Sequence, residues 1–158
     1  MQDANGFSAL MRAAEKGHAA VAAELLRVSA CKPDLCSGRQ ETALSLAAAG
    51  GSTELVKRLL RAHQPDKLHA ALFQKDIKGQ TPLHKAACAG HVHVVDLLLN
   101  DFPAALRCTY LEGSTALHAA SSRGHAAVVA SILKARGQGP AASCSGSEVM
   151  TLMLCVCI

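Results

Sequence analysis

Eight His and seven Cys are the residues of this chain best suited to act as metal ligands, acids, bases or nucleophiles, so their spacing is decisive. Cys31 and Cys36 bracket Lys32, Pro33, Asp34 and Leu35. No second ligand pair stands at zinc-finger spacing, so they read as linker thiols. Cys155 and Cys157 are close enough for a soft metal but lack further ligands nearby. His91 and His93 stand two apart, and on a helix positions i and i+2 do not face each other. His63 and His69 lie in a stretch expected to be solvated. No nucleophile motif, phosphate-binding glycine loop or pair of tuned carboxylates occurs. Gly50-Gly51 is a helix-breaking pair, and Ser121-Ser122 marks a helix end. These residues predict no catalysis, no metal and no cofactor.

The elements that position them come from an internal repeat. Ser8-Ala9-Leu10, Thr42-Ala43-Leu44, Thr81-Pro82-Leu83 and Thr115-Ala116-Leu117 recur at intervals of 34, 39 and 34 residues. Small pairs follow at Ala13-Ala14, Ala47-Ala48, Ala86-Ala87 and Ala120-Ser121. Then come Gly17-His18, Gly51-Ser52, Gly90-His91 and Gly124-His125. Apolar pairs close each unit, ending at Leu25-Leu26, Leu59-Leu60, Leu98-Leu99 and Ile132-Leu133. Each unit therefore reads as two short antiparallel helices. Thr81 is placed to cap the first helix with its hydroxyl, and Pro82 suits the first helical position. The Gly suits the left-handed conformation that ends a helix. The second helix carries an apolar face that one unit cannot hide, so units must stack into an all-α solenoid.

These residues resemble the ankyrin repeat. The run beginning Asp76-Ile77-Lys78-Gly79-Gln80-Thr81-Pro82-Leu83-His84 and continuing to Leu99 matches its pattern throughout, and Thr115-Ala116-Leu117-His118 onward is close to it. The likeness covers about residues 3–136. The units fall at about 3–35, 36–75, 76–109 and 110–136, followed by a linker at 137–148 and an apolar tail at 149–158. The resemblance implies that His18, His84, His91, His118 and His125 hydrogen-bond along the stack. Met11 and Ser45 depart from the His found at the position of His84, and Ser52 departs from the second His. Gln40 replaces the Gly before the Thr, which predicts a less regular turn in unit 2. The five extra residues of unit 2 fall within Gln64–Gln74, where Leu68-His69-Ala70-Ala71-Leu72-Phe73 suits an extra helical turn.

Composition excludes other classes. Thirty Ala and twenty-one Leu, against three Phe, one Tyr and no Trp, describe a helical core and not a β-sandwich. So few aromatics leave nothing on which to stack bases. The net charge of +4 is spread out, densest at Lys57, Arg58 and Arg61, too thin for a nucleic-acid or lipid patch. No run of about 18 apolar residues predicts a membrane span. The N-terminus lacks the regions of a signal peptide, and the odd Cys count fits a reducing compartment. Cytoplasm is expected, with the nucleus open.

From Gly137 the sequence turns small and polar, then apolar from Val149 to Ile158. Three readings of this tail stand open. It folds back on the end of unit 4; or it is the product of truncation or misjoining; or Cys155-Val156-Cys157-Ile158 is a prenylation box.

The resemblance also implies where a partner would bind: the concave groove of hairpin tips and first helices. Carried over residue by residue, the groove comprises Asn5, Phe7, Glu15 and Lys16 in unit 1, and Arg39 and Glu41 in unit 2. Ile77, Lys78 and Gln80 follow in unit 3, and Leu111, Glu112 and Arg123 in unit 4. Phe7, Ile77 and Leu111 would serve as apolar anchors. Arg39, Lys78 and Arg123 would meet an acidic or carbonyl-rich segment. The expected function is an adaptor or scaffold binding another protein, as a monomer and without enzymatic activity. Two alternatives remain: the ankyrin portion of a larger channel, kinase or ubiquitin ligase, and a lipid-anchored scaffold acting through Cys155.

Overall fold

The computed structural model describes residues 2–28, 32–103, 105 and 114–137. Leu111, Glu112 and the tail with Cys155 and Cys157 lie outside the described residues, as does all of the expected linker but its first residue. Nine helices occur among the described residues: α1 (Ala9–Glu15), α2 (Ala19–Arg27), α3 (Ala43–Ala49), α4 (Thr53–Ala62), α5 (Pro65–Phe73), α6 (Pro82–Ala89), α7 (Val92–Asp101), α8 (Ala116–Ser122) and α9 (Ala126–Gly137). The inner helices stack in the order α1, α3, α6, α8, and the outer ones in the order α2, α4, α7, α9. This is the all-α solenoid expected. No helix among the described residues is long and apolar enough to cross a membrane.

Ala and Leu fill the space between layers. Ala14, Ala47, Ala48, Ala86, Ala87 and Ala120 are fully buried, and their size lets the inner helices approach closely. Leu55, Leu59, Val94, Val95, Leu98 and Ile132 close the core from the outer helices. Each inner helix turns into its outer partner through a Gly in the left-handed region, with φ from 72 to 79° at Gly17, Gly51, Gly90 and Gly124. At Gly51 and Gly90 space matters as well. A Cβ there would come within 2.5 Å of the His91 ring and 2.8 Å of the His125 ring.

The departures at the first-helix caps turn out to preserve their function. Ser8 and Met11 exchange bonds: the Met11 N–H donates to Ser8 Oγ at 3.2 Å and the Ser8 N–H to Met11 Sδ at 3.5 Å. Thr42 and Ser45 do the same, both at 3.1 Å. In unit 4 the Thr115 N–H donates to His118 Nδ1 at 3.2 Å. Each pair is a capping box that satisfies otherwise orphaned backbone donors. Thr81 differs from expectation: its hydroxyl lies 2.7 Å from His84 Nδ1 and makes no cap bond to the backbone.

Two further expectations are corrected. Gln40 does not disturb its turn. It takes φ 57°, the only positive φ among the described residues other than Gly. The hairpin bond from Ser37 N–H to the Glu41 carbonyl is intact at 2.9 Å. The backbone bonds of the turn outweigh the local strain of a left-handed Gln. The extra residues of unit 2 form a complete nine-residue helix, α5, and not one added turn. Leu68, Ala71 and Leu72 recur at helical spacing and pack on the core. α9 runs through Gly137, one residue into the expected linker.

Candidate binding groove

The hairpin tips are built by one side chain each, five residues before the capping Ser or Thr. Asp3 Oδ1 accepts the N–H groups of Asn5 and Phe7, each at 2.9 Å. Asp76 Oδ1 accepts those of Lys78 at 2.8 Å and Gln80 at 2.9 Å. Ser37 Oγ replaces the carboxylate in unit 2, accepting Arg39 and Glu41 N–H at 3.2 Å. Adjacent tips then bond to one another. The Gly38 N–H donates to the Asn5 carbonyl at 3.0 Å, and the Ile77 N–H to the Arg39 carbonyl at 3.1 Å. The tips thus form a ladder across units 1 to 3.

Below the tips, second-helix histidines tie each unit to the one before. A carbonyl only accepts, so each ring donates its Nε2–H: His91 to the Ala49 carbonyl at 2.9 Å and His125 to the Cys88 carbonyl at 3.0 Å. His84 and His118 instead engage the capping Thr of their own unit. His18 is exposed and makes no such bond, so its expected place in the network is corrected. Ser52 holds the corresponding position in unit 2 and makes no such bond, and an added Cβ on Gly17 would meet nothing within 4 Å.

The predicted groove residues divide into two groups. One group is held by the protein itself. The Phe7 ring is half-buried, with the Arg12 guanidinium 4.1 Å above its centroid, a cation–π contact. Arg12 also bonds Asp3 at 2.8 Å and Glu15 at 3.2 Å. Its side-chain bond lowers the Asp3 pKa below the ordinary 3.8, assisted by the backbone N–H groups of Phe7 and Asn5. Glu41 is bound by Lys85 at 2.5 Å, and Lys85 reaches Asp76 at 3.1 Å; all three side chains are largely buried. Gln80 is half-buried, its amide N–H 3.8 Å from Cys88 Sγ. The other group faces solvent. Asn5, Lys16, Arg39, Lys78 and Arg123 are exposed, and Ile77 is 60% exposed. An open cavity of about 570 Å³ lies between tips 1 and 2, lined in part by Asn5, Phe7, Arg12, Glu15 and Arg39. Leu111 and Glu112 fall outside the described residues.

Sequence reasoning missed Asp3, Arg12, Asp76 and Lys85. The recurrence of Asp3, Ser37 and Asp76 five residues before the capping position was the available signal. His63 is another correction, since it is buried and not solvated. Its Nδ1–H donates to the Leu59 carbonyl at 2.7 Å, and its Nε2 lies 3.4 Å from Asp34 Oδ1, whose other oxygen binds Lys67 at 2.9 Å. α5 brings these groups together around a cavity of about 280 Å³ that also contacts Cys36. Burial, then the Asp34 charge, pushes the Cys36 thiol up. His69 is exposed and stacks on Phe73 at 4.2 Å. No group of three or more His, Cys, Asp or Glu among the described residues is placed to hold a metal ion.

The family model described as ankyrin repeats (3 copies) matches residues 1–70 and 44–144. A mouse (Mus musculus) relative, "Protein fem-1 homolog A-like", is 33% identical over 100 residues. That alignment covers 63% of this chain and 14% of the relative, so the chain spans a small part of that protein's length. Ankyrin repeats are in general protein–protein interaction modules, a non-enzymatic fold. With the stacked helix pairs, the capping boxes and the ladder of tips, these matches show that the chain belongs to the ankyrin-repeat family.

Proposed function

We propose that this chain works as an adaptor or scaffold, a monomer that takes a protein partner on its concave face. The observation that carries this reading is the tip ladder: Gly38 to Asn5 and Ile77 to Arg39. Those bonds hold exposed Ile77 and its charged neighbours on an ordered backbone, so less conformational entropy is lost on binding. No chemistry is assigned to the groove; it acts by presenting side chains. Cytoplasmic residence belongs to the same proposal, on the odd count of seven Cys in the sequence.

The test is affinity capture from lysate with the full chain, its Ile77→Asp variant and an outer-helix control, Lys57→Glu/Arg61→Glu. A partner lost with Ile77→Asp and kept by the control is the expected result. A partner lost only with the control would move the binding surface to the outer helices. A second reading treats the chain as the ankyrin portion of a longer multidomain protein, and its 14% coverage of the mouse relative favours it. A transcript in which further coding sequence follows the repeats would establish that reading.

A further inference from the structure

The acidic side chains that the described groove presents are already engaged. Asp3 and Glu15 share Arg12, and Glu41 and Asp76 share Lys85. Two carboxylates to one cation leaves a formal excess of one negative charge in each cluster. Asp76 disperses its share into two backbone N–H bonds, and the Glu41 side chain is largely buried against Lys85. The cations of the groove rim are in a different position. Arg39 and Lys78 are exposed on adjacent tips, and neither has an ionic partner among the described residues. Lys16 and Arg123, at the ends of α1 and α8, are exposed and unpaired too. These four cations outnumber the two excess negative charges of the clusters, so the net charge left for a partner to meet is positive.

Arg39 and Lys78 occupy the same place in successive units, three residues before Thr42 and Thr81. Stacked helices set equivalent positions about 10 Å apart, and three residues of extended chain advance about 10 Å. Ile77 stands beside Lys78 and is bonded through its backbone to Arg39, which places an exposed apolar side chain with the two cations. We infer that the groove takes an extended acidic peptide with two carboxylates three residues apart, one on Arg39 and one on Lys78, and an apolar side chain between them against Ile77. This rests on the concave-face reading and supplies its partner chemistry. A basic segment is disfavoured because it would face Arg39 and Lys78 on the exposed tips, while the groove carboxylates are engaged by Arg12 and Lys85.

The experiment pans a displayed library of random twelve-residue peptides on the full chain, then measures selected peptides by fluorescence polarisation. The expected winners are net acidic, with acidic residues spaced by three. Their binding should weaken about tenfold or more with Arg39→Glu/Lys78→Glu, and should weaken as salt is raised. All these side chains are exposed, and far-UV circular dichroism verifies that each variant folds. Selection of neutral or basic peptides that still require Ile77, by loss with Ile77→Asp, would overturn the acidic assignment and leave the groove reading standing. Peptides indifferent to all three substitutions would overturn both. An absence of selected peptides would overturn the acidic assignment.

Discussion

Replacing Ser52 by His should stabilise the protein, and the size of the gain follows from the stack itself. Ser52 occupies the position of His91 and His125, each of which donates to a carbonyl of the preceding unit at 2.9 and 3.0 Å. By the same register, a His at 52 faces the Glu15 carbonyl. Room for the ring exists, because nothing lies within 4 Å of a Cβ built on Gly17, whereas at Gly51 and Gly90 a His ring fills that place. One net hydrogen bond contributes about 1 kcal/mol, and covering the turn with part of a ring adds a few tenths at about 25 cal/mol per Å². A total near 1.5 kcal/mol raises Tm by about 3–6 °C for a domain of this length. Thermal melts followed at 222 nm measure it. The glycines supply an internal control. Gly17→Ala should cost only the left-handed strain of about 1–2 kcal/mol, while Gly51→Ala should cost more because it also displaces His91. If Ser52→His leaves Tm unchanged or lowers it, the register between units 1 and 2 is wrong; if the two alanine variants lose equal stability, the His91 ring does not crowd Gly51.

Lys85→Met should be strongly destabilising. It leaves Glu41 and Asp76 together without their cation, in a cluster where Lys85 is only 10% exposed. Removing one member of a buried pair costs about 3–5 kcal/mol, and partial solvent access places this case near the lower bound; a urea-midpoint shift worth under about 1 kcal/mol would show that the cluster is solvated. Asp3 supplies a pH test. Its folded pKa is lowered below 3.8, so its contribution is present at neutral pH and is lost as pH falls through the folded value. The amides of Asn5 and Phe7, which donate to Asp3 Oδ1, should lose exchange protection over that acid range relative to other tip amides. In Asp3→Asn that pH-dependent change should be absent.

The repeat was legible because periodicity is a local property. The capping Ser and Thr residues, the paired Ala and the turn Gly each act within a few residues of their own position, so the helix pairs of the solenoid could be read directly. The replacements at 11 and 45 were legible as departures but not in their effect. Sulfur in Met11 and oxygen in Ser45 both accept the cap N–H that His118 Nδ1 accepts in unit 4. Gln40 misled for a related reason. The expected irregularity considered only the residue's own φ preference, while the turn is held by Ser37 and by pairing with the neighbouring tips.

The groove divides along the same line. The sequence by itself determined which positions fall at the tips and on the inner helices, since these lie at constant offsets from the capping residue. It also determined that every groove charge sits on a defined unit. Only the tertiary structure decided which of those charges remain for a partner. Lys85 meets Glu41 across 44 residues of chain, and Arg12 covers Phe7 while holding two carboxylates. Likewise, His63 became a buried group only when α5 closed over it beside Asp34. Ion pairing and burial depend on distances between segments remote in sequence, and those distances exist only once the units have stacked.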